Sequence, residues 1–194
     1  GTLWAWGANS TGVLGDNSLV PKGSPIQVGL LQDWQKVYVG SSHAVALKTD
    51  STLWAWGANS AGQVGDNSGV TKSSPVQIGA AEWSKVAAGA SHVLAIKTDG
   101  SLWAWGLGNS GQIGDSALSN RSSPVQVGLL TDWQKVYATS SPSYAIKTNG
   151  TLWSWGSNSS GQLGDGTTVG KSSPIQIGSL TDWSYIACHG LHSL

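Results

Sequence analysis

The chain has 194 residues, and its 10 Lys and Arg balance its 10 Asp and Glu, so no electrostatic footprint exists for a phosphate backbone or an anionic membrane. Charged residues make up 10% of the chain, against about 25% in an average globular protein, and Gly, Ser, Thr and Asn fill the difference. No apolar run reaches the roughly 18 residues of a membrane span, and a single cysteine excludes an intrachain disulfide framework. Neither nucleic-acid binding nor membrane insertion is therefore expected. Methionine is absent even at residue 1, so the chain is expected to be processed or part of something longer.

In chain order, Leu3-Trp4-Ala5-Trp6-Gly7 is followed by Gly15-Asp16, Ser24-Pro25, Trp34 and His43, and the series then restarts. The pentapeptide recurs from Leu53 and Leu102 and returns as Leu-Trp-Ser-Trp-Gly from Leu152. Gly65-Asp66, Gly114-Asp115 and Gly164-Asp165 keep the register, as do Pro75, Pro124 and Pro174 and then Trp83, Trp133 and Trp183. All 12 tryptophans fall on repeat positions. The chain reads as four copies, at 1–50, 51–99, 100–149 and 150–194, of one unit that cannot bury its apolar face without neighbours, and so as a single domain over 1–194.

Each copy carries four strand-sized apolar segments, for example Ala87–Gly89, His92–Lys97, Leu102–Trp105 and Val125–Val127. Alternation in Leu102-Trp103-Ala104-Trp105 sends successive side chains to opposite faces of a pleat. Asp99-Gly100 and Asn149-Gly150 are dipeptides that close a tight hairpin with positive φ at both central residues. The glycine-rich run Gly106–Asp115 should carry the chain outward to the fourth strand. Four strands in about 50 residues make a β-propeller blade, so the fold class is all-β, with four-stranded antiparallel blades. Small residues around Gly40 and Gly89 suit the innermost strand. Trp4, Trp6, Trp54, Trp56, Trp103, Trp105, Trp153 and Trp155 are the expected core between blades.

Leu-Trp-Ala-Trp-Gly, Gly62-Gln-Val-Gly-Asp66, Ser74-Pro75-Val76 and Ala88-Gly-Ala-Ser-His92 together resemble the repeat of the regulator of chromosome condensation family. The resemblance implies a propeller, usually of seven blades, with the sequence repeat offset from the structural blade. The chain would then be an arc of such a ring, with apolar faces at both ends that more sequence or a partner chain must cover. The alternative is a closed four-bladed ring.

Candidate sites are few, and no catalytic, cofactor-binding or metal-binding residue is assigned. His43, His92 and His192 share a repeat position filled by Pro142 in the third copy, and are read as structural; the His189/His192 spacing is likewise not assigned to a metal. The Gly-Asp-Asn-Ser turns at Gly15 and Gly65 lack the acidic density of calcium loops and are read as Asx-type turns. Cys188 is expected to pack near the axis rather than to react. Lys48, Lys97 and Lys147, and Asp33, Glu82, Asp132 and Asp182, are expected to be solvated. Once the repeat is subtracted, Leu19, Val20, Leu118, Asn120, Arg121 and Tyr144 remain as the expected partner-contact loops.

Members of the family that the chain resembles include nucleotide exchange factors for small GTPases, a chromatin-binding member, a plant ultraviolet photoreceptor and secreted bacterial β-lactamase inhibitors. The neutral chain lacks the basic loops of a chromatin-associated exchange factor. The photoreceptor's Gly-Trp-Arg-His-Thr segments are replaced here by Gly40-Ser-Ser-His43, Gly89-Ala-Ser-His92 and Thr139-Ser-Ser-Pro142. The expected function is a non-enzymatic scaffold without cofactor, taking a protein partner or other copies of the chain. It is expected to be of bacterial or phage origin, outside a cell or on a particle surface. A propeller-type enzyme inhibitor and an exchange factor are the alternatives.

Overall fold

The computed structural model describes residues 1–189 and 192–193, all strands and connections. β1 (Trp4–Gly7) and β2 (Lys22–Gln27) form a two-stranded sheet. Three complete blades follow: β3 (Trp34–Val39), β4 (His43–Lys48), β5 (Leu53–Gly57) and β6 (Lys72–Gln77); β7 (Trp83–Ala88), β8 (His92–Lys97), β9 (Leu102–Gly106) and β10 (Arg121–Gln126); β11 (Trp133–Ala138), β12 (Pro142–Lys147), β13 (Leu152–Gly156) and β14 (Lys171–Gln176). In each, the strands lie side by side in sequence order and pair antiparallel. A two-stranded pair, β15 (Cys188–His189) and β16 (His192–Ser193), ends the description. Among the described residues the two end pairs belong to separate sheets.

The blades straddle the boundaries of the sequence copies, because a copy opens at a third strand. β3, β7 and β11 are the inner edges, with β7 touching both β3 and β11. Gly40 and Gly89 follow those edges, and a Cβ there would collide with the imidazoles of His43 and His92 and with a carbonyl of the next blade. The outer edges are β2, β6, β10 and β14, each holding the Pro of the Ser-Pro pair. A residue without an N–H costs nothing on such an edge, where it also discourages unwanted pairing.

The core lies between blades rather than within them. Val93 and Ala95 of β8 pack toward the first complete blade with Val45, Leu53 and Trp105, while Leu94 and Ile96 of the same strand pack toward the third with Val136, Ala145 and Trp155. Period-two alternation thus feeds two interfaces from one strand, which is why β8 is apolar at four consecutive positions.

Two local expectations are corrected. In the hairpin at Asp99-Gly100 only Gly100 has positive φ, and the Gly100 amide donates to the Lys97 carbonyl at 3.0 Å while the Lys97 amide donates to Ser101. This is a type I turn closed by a left-handed glycine, not the doubly left-handed turn expected from the dipeptide. Lys48 and Lys147 are buried rather than solvated. Lys48 Nζ sits 4.3 Å from the Trp54 ring centre and 3.4 Å from Asp33, and Lys147 repeats this with Trp153 and Asp132. A buried ammonium needs both the carboxylate and the indole faces to replace water.

Candidate protein-binding surfaces

The tryptophans set the geometry of the platform. Trp56, Trp105 and Trp155 are buried, and their indole N–H groups donate to the carbonyls of Val13, Gln63 and Gln112 at 2.7, 3.1 and 2.9 Å. Each acceptor lies in the glycine-rich loop of the preceding unit, so every junction is wedged by one indole. Trp34 and Trp133 meet both paired tryptophans of their blades edge to face, and Trp83 meets Trp103 edge to face and Trp105 at a tilt. Trp54, Trp103 and Trp153 are partly buried, their indole N–H groups held by Thr52, Ser101 and Thr151. Trp4 and Trp6 depart from the expected blade core: they are 50% and 61% exposed, because β1 has no strand on its inner side and no preceding loop beneath it among the described residues.

The same loops are stiffened by a buried asparagine. Asn59 Nδ2 donates to Asp66 and to the Ser68 and Val70 carbonyls at 3.0 to 3.1 Å, and its oxygen accepts the Val64 amide at 2.9 Å; Asn9 and Asn158 do the same in their copies. Asp66 is an Asx turn capped by Ser68 and paired with Lys72 at 3.0 Å. The hydroxyl of Thr167, followed by its backbone amide and the side chains of Asn158 and Lys171, holds the Asp165 carboxyl down to about 2.

Of the expected contact residues, Leu19, Val20 and Leu118 are exposed loop tips. Asn120 is exposed, but its side-chain oxygen accepts the Gly108 amide at 3.1 Å, replacing the asparagine missing from that copy. Arg121 opens β10 and is ion-paired with Asp115 at 2.6 Å. Tyr144 is a correction: it lies within β12 at 1% exposure and donates its hydroxyl to the Gln162 carbonyl, so it is core and cannot meet a partner.

A second set of exposed apolar residues was not singled out in the sequence. Leu30 and Leu129 are 90% and 89% exposed, with Leu31, Leu130 and Leu180 beside them or equivalent. They sit in the loops between the fourth strand of one sheet and the innermost strand of the next, at the opposite end of the fourth strands from Leu19 and Leu118. The doublet after Gly29 and Gly128 is visible in the sequence, but a Leu-Leu pair three residues before a core Trp reads as core. Beneath Leu31 and Leu130 are clefts of about 300 and 360 Å³, each floored by two indoles.

The histidines are internal. His92 Nε2 lies 2.9 Å from the Ser143 hydroxyl, which itself donates to the Gln112 carbonyl; His43 faces the next blade without a hydrogen-bond partner on either ring nitrogen. Burial holds the His43 imidazole down to about 4 and that of His92 to about 3, the latter helped by His43 nearby. The side chains of His189 and His192 lie outside the described residues, and among the described ones no three His, Cys, Asp or Glu gather around a common point. Cys188 is half-buried beside Tyr144 and Ile186, and burial raises its thiol pKa. It lines an open groove of about 460 Å³ at the hub, with Tyr38, Lys85, Tyr137 and Tyr185.

Blades wedged around a hub, each contributing loops to two faces, define a propeller platform. The regulator of chromosome condensation (RCC1) repeat matches residues 1–47, 50–96, 99–146 and 149–194, and the chain belongs to that family. No curated protein matches it in sequence. Among solved structures, human WBSCR16 superposes with a TM-score of 0.88 at 20% identity, over 100% of this chain and 52% of that one. Prp20p from Saccharomyces cerevisiae, characterised for its binding to Gsp1p and histones, superposes with a TM-score of 0.81 at 23% identity, over 92% of this chain and 47% of that one. The chain thus spans about half the length of the solved chains it matches, and at these identities the likeness shows the fold.

Proposed function

We propose that the chain is a non-enzymatic scaffold that takes a protein partner on the face bearing Leu30, Leu129 and Leu180. The observation that carries this reading is the nearly complete exposure of Leu30 and Leu129, at equivalent positions on a rigid array. Such a leucine adds nothing to the fold, yet offers about 25 cal/mol per Å² of apolar surface when a partner covers it. Repetition at the spacing of a blade multiplies the contact, and loops on a stiff frame are where recognition is normally placed. Protein binding by Prp20p, on the same fold, supports the class of partner and not its identity. The low charge and the Ser/Thr/Asn-rich surface favour a location outside a cell or on a particle, of bacterial or phage origin.

The test is capture by the immobilised chain compared with a Leu30→Ser/Leu129→Ser variant. Loss of a captured protein, with folding stability changed by less than about 0.5 kcal/mol, is expected. Capture that survives both substitutions would move the site elsewhere. Accelerated nucleotide release from a small GTPase would replace this reading with that of an exchange factor, and inhibition of a captured enzyme with that of an inhibitor.

A further inference from the structure

We infer that the clefts beneath Leu130 and Leu31 are binding sites for the ring of a neutral saccharide. The first, of about 360 Å³, lies at the outer rim between two complete blades. It is bounded by Gln126 at the end of β10, the lip at Leu130, the rings of Trp133 and Trp153, and Pro174 of β14. Gln27, Leu31, Trp34, Trp54 and Pro75 build the second, of about 300 Å³, from the same repeat positions. Small-molecule sites begin at about 300 Å³, so either cleft has room for a compact ligand.

The surroundings select the charge of that ligand. Lys147 Nζ lies 4.5 Å from the ring centre of Trp153 and Lys48 Nζ 4.3 Å from that of Trp54, so a cation on these rings would meet an ammonium already in place. Asp115 and Asp16 line the same clefts with their charges engaged by Arg121 and Lys22, so an anion would meet carboxylates and find no spare cation. A neutral occupant is what remains.

The polar groups select its shape. In two of the copies the glutamine that closes the outer strand is spent on its own turn: Gln77 Nε2 donates to the Gly79 carbonyl at 3.2 Å and Gln176 Nε2 to that of Gly178 at 3.1 Å. Gln126 and Gln27, which line the clefts, make no such bond among the described residues, so each presents two N–H donors and an acceptor. The indoles offer rings and not N–H groups, because Trp153 and Trp54 donate to Thr151 and Thr52 while Nε1 of Trp133 and Trp34 is buried. An extended peptide, whose carbonyls need a row of donors, is poorly served. A pyranose fits: its C–H face lies flat on an indole, and its edge carries neighbouring hydroxyls that both donate to and accept from one amide. Neither site uses Leu30 or Leu129, so saccharide binding stands or falls apart from the proposed protein-binding face.

The experiment is calorimetric titration of the 194-residue chain with cellohexaose, maltohexaose and chitohexaose, together with saturation transfer from indole protons to sugar C–H protons in nuclear magnetic resonance. Expected is binding of at least one of these at two sites per chain, with an affinity that salt does not change. Gln27→Ala/Gln126→Ala, with an unchanged near-ultraviolet circular dichroism spectrum, should weaken it about fivefold for each hydrogen bond lost. Gln77→Ala/Gln176→Ala and Leu30→Ser/Leu129→Ser should bind as the wild type does. No saturation transfer to any of the three sugars at millimolar concentration, or equal affinity losses in the two glutamine pairs, overturns the inference. Binding of a polyproline peptide in place of the sugars, lost in Gln27→Ala/Gln126→Ala, gives the clefts to a peptide and overturns it as well.

Discussion

Ser51 stands where the later copies have Gly100 and Gly150, and it holds the left-handed conformation at φ 67° without the hydrogen side chain. The reason lies in another loop. A Cβ on Gly100 or Gly150 would run into the carbonyl of Thr131 or Thr181, whereas the loop facing Ser51 is Gly79-Ala-Ala-Glu-Trp83, one residue shorter and without that threonine. The substitution and the deletion are one event in physical terms. Gly100→Ser should therefore cost about 2 kcal/mol or more in urea denaturation, whereas Ser51→Gly should stay within about 1 kcal/mol. Equal effects would show that the loops are not coupled. The buried imidazoles make a second prediction at this scale. Between pH 6.5 and about 4 the unfolded chain takes up protons that the fold refuses, so stability is complete above the ordinary histidine value, falls as pH drops, and levels off below the folded values. For His43 the difference is on the order of 3 kcal/mol. Denaturation at pH 7 and pH 4 should show the loss, and His43→Leu should reduce it; a flat profile would place these rings in water.

At the scale of the element, the indole donated to the preceding loop is what makes a pair of sheets a pair of blades. Trp105→Ala removes a buried ring and leaves the Gln63 carbonyl short of its donor, so a loss of about 3–5 kcal/mol is expected from denaturation. Trp105→Phe should cost less, because only the hydrogen bond and part of the ring are lost. Most of this architecture was legible in the sequence, since period-two alternation, glycine-rich loops and a 49 to 50 residue interval each reflect a local constraint that strands and turns cannot evade. What escaped was set by neighbours. Burial of Lys48 depends on two rings and a carboxylate converging from two other segments, and Tyr144 resembles a loop residue only until β12 is paired on both edges. Leu30 and Leu129 went unnoticed for the opposite reason: apolar side chains near a core tryptophan read as buried, and only the fold turns them outward.

At the scale of the molecule, the three complete blades share their cores pairwise, with the second strand of each contributing to the interface on either side. No blade owns a core of its own, so the array should open as one body despite its repeated construction. That coupling is the property a binding platform requires, because loops on separate blades keep their spacing only if the blades do not move independently. Residue-resolved amide hydrogen exchange tests it most directly. The amides of β4, β8 and β12 should exchange at a common rate set by global unfolding. Three separate rates, or fast exchange in any one of these strands, would contradict the account.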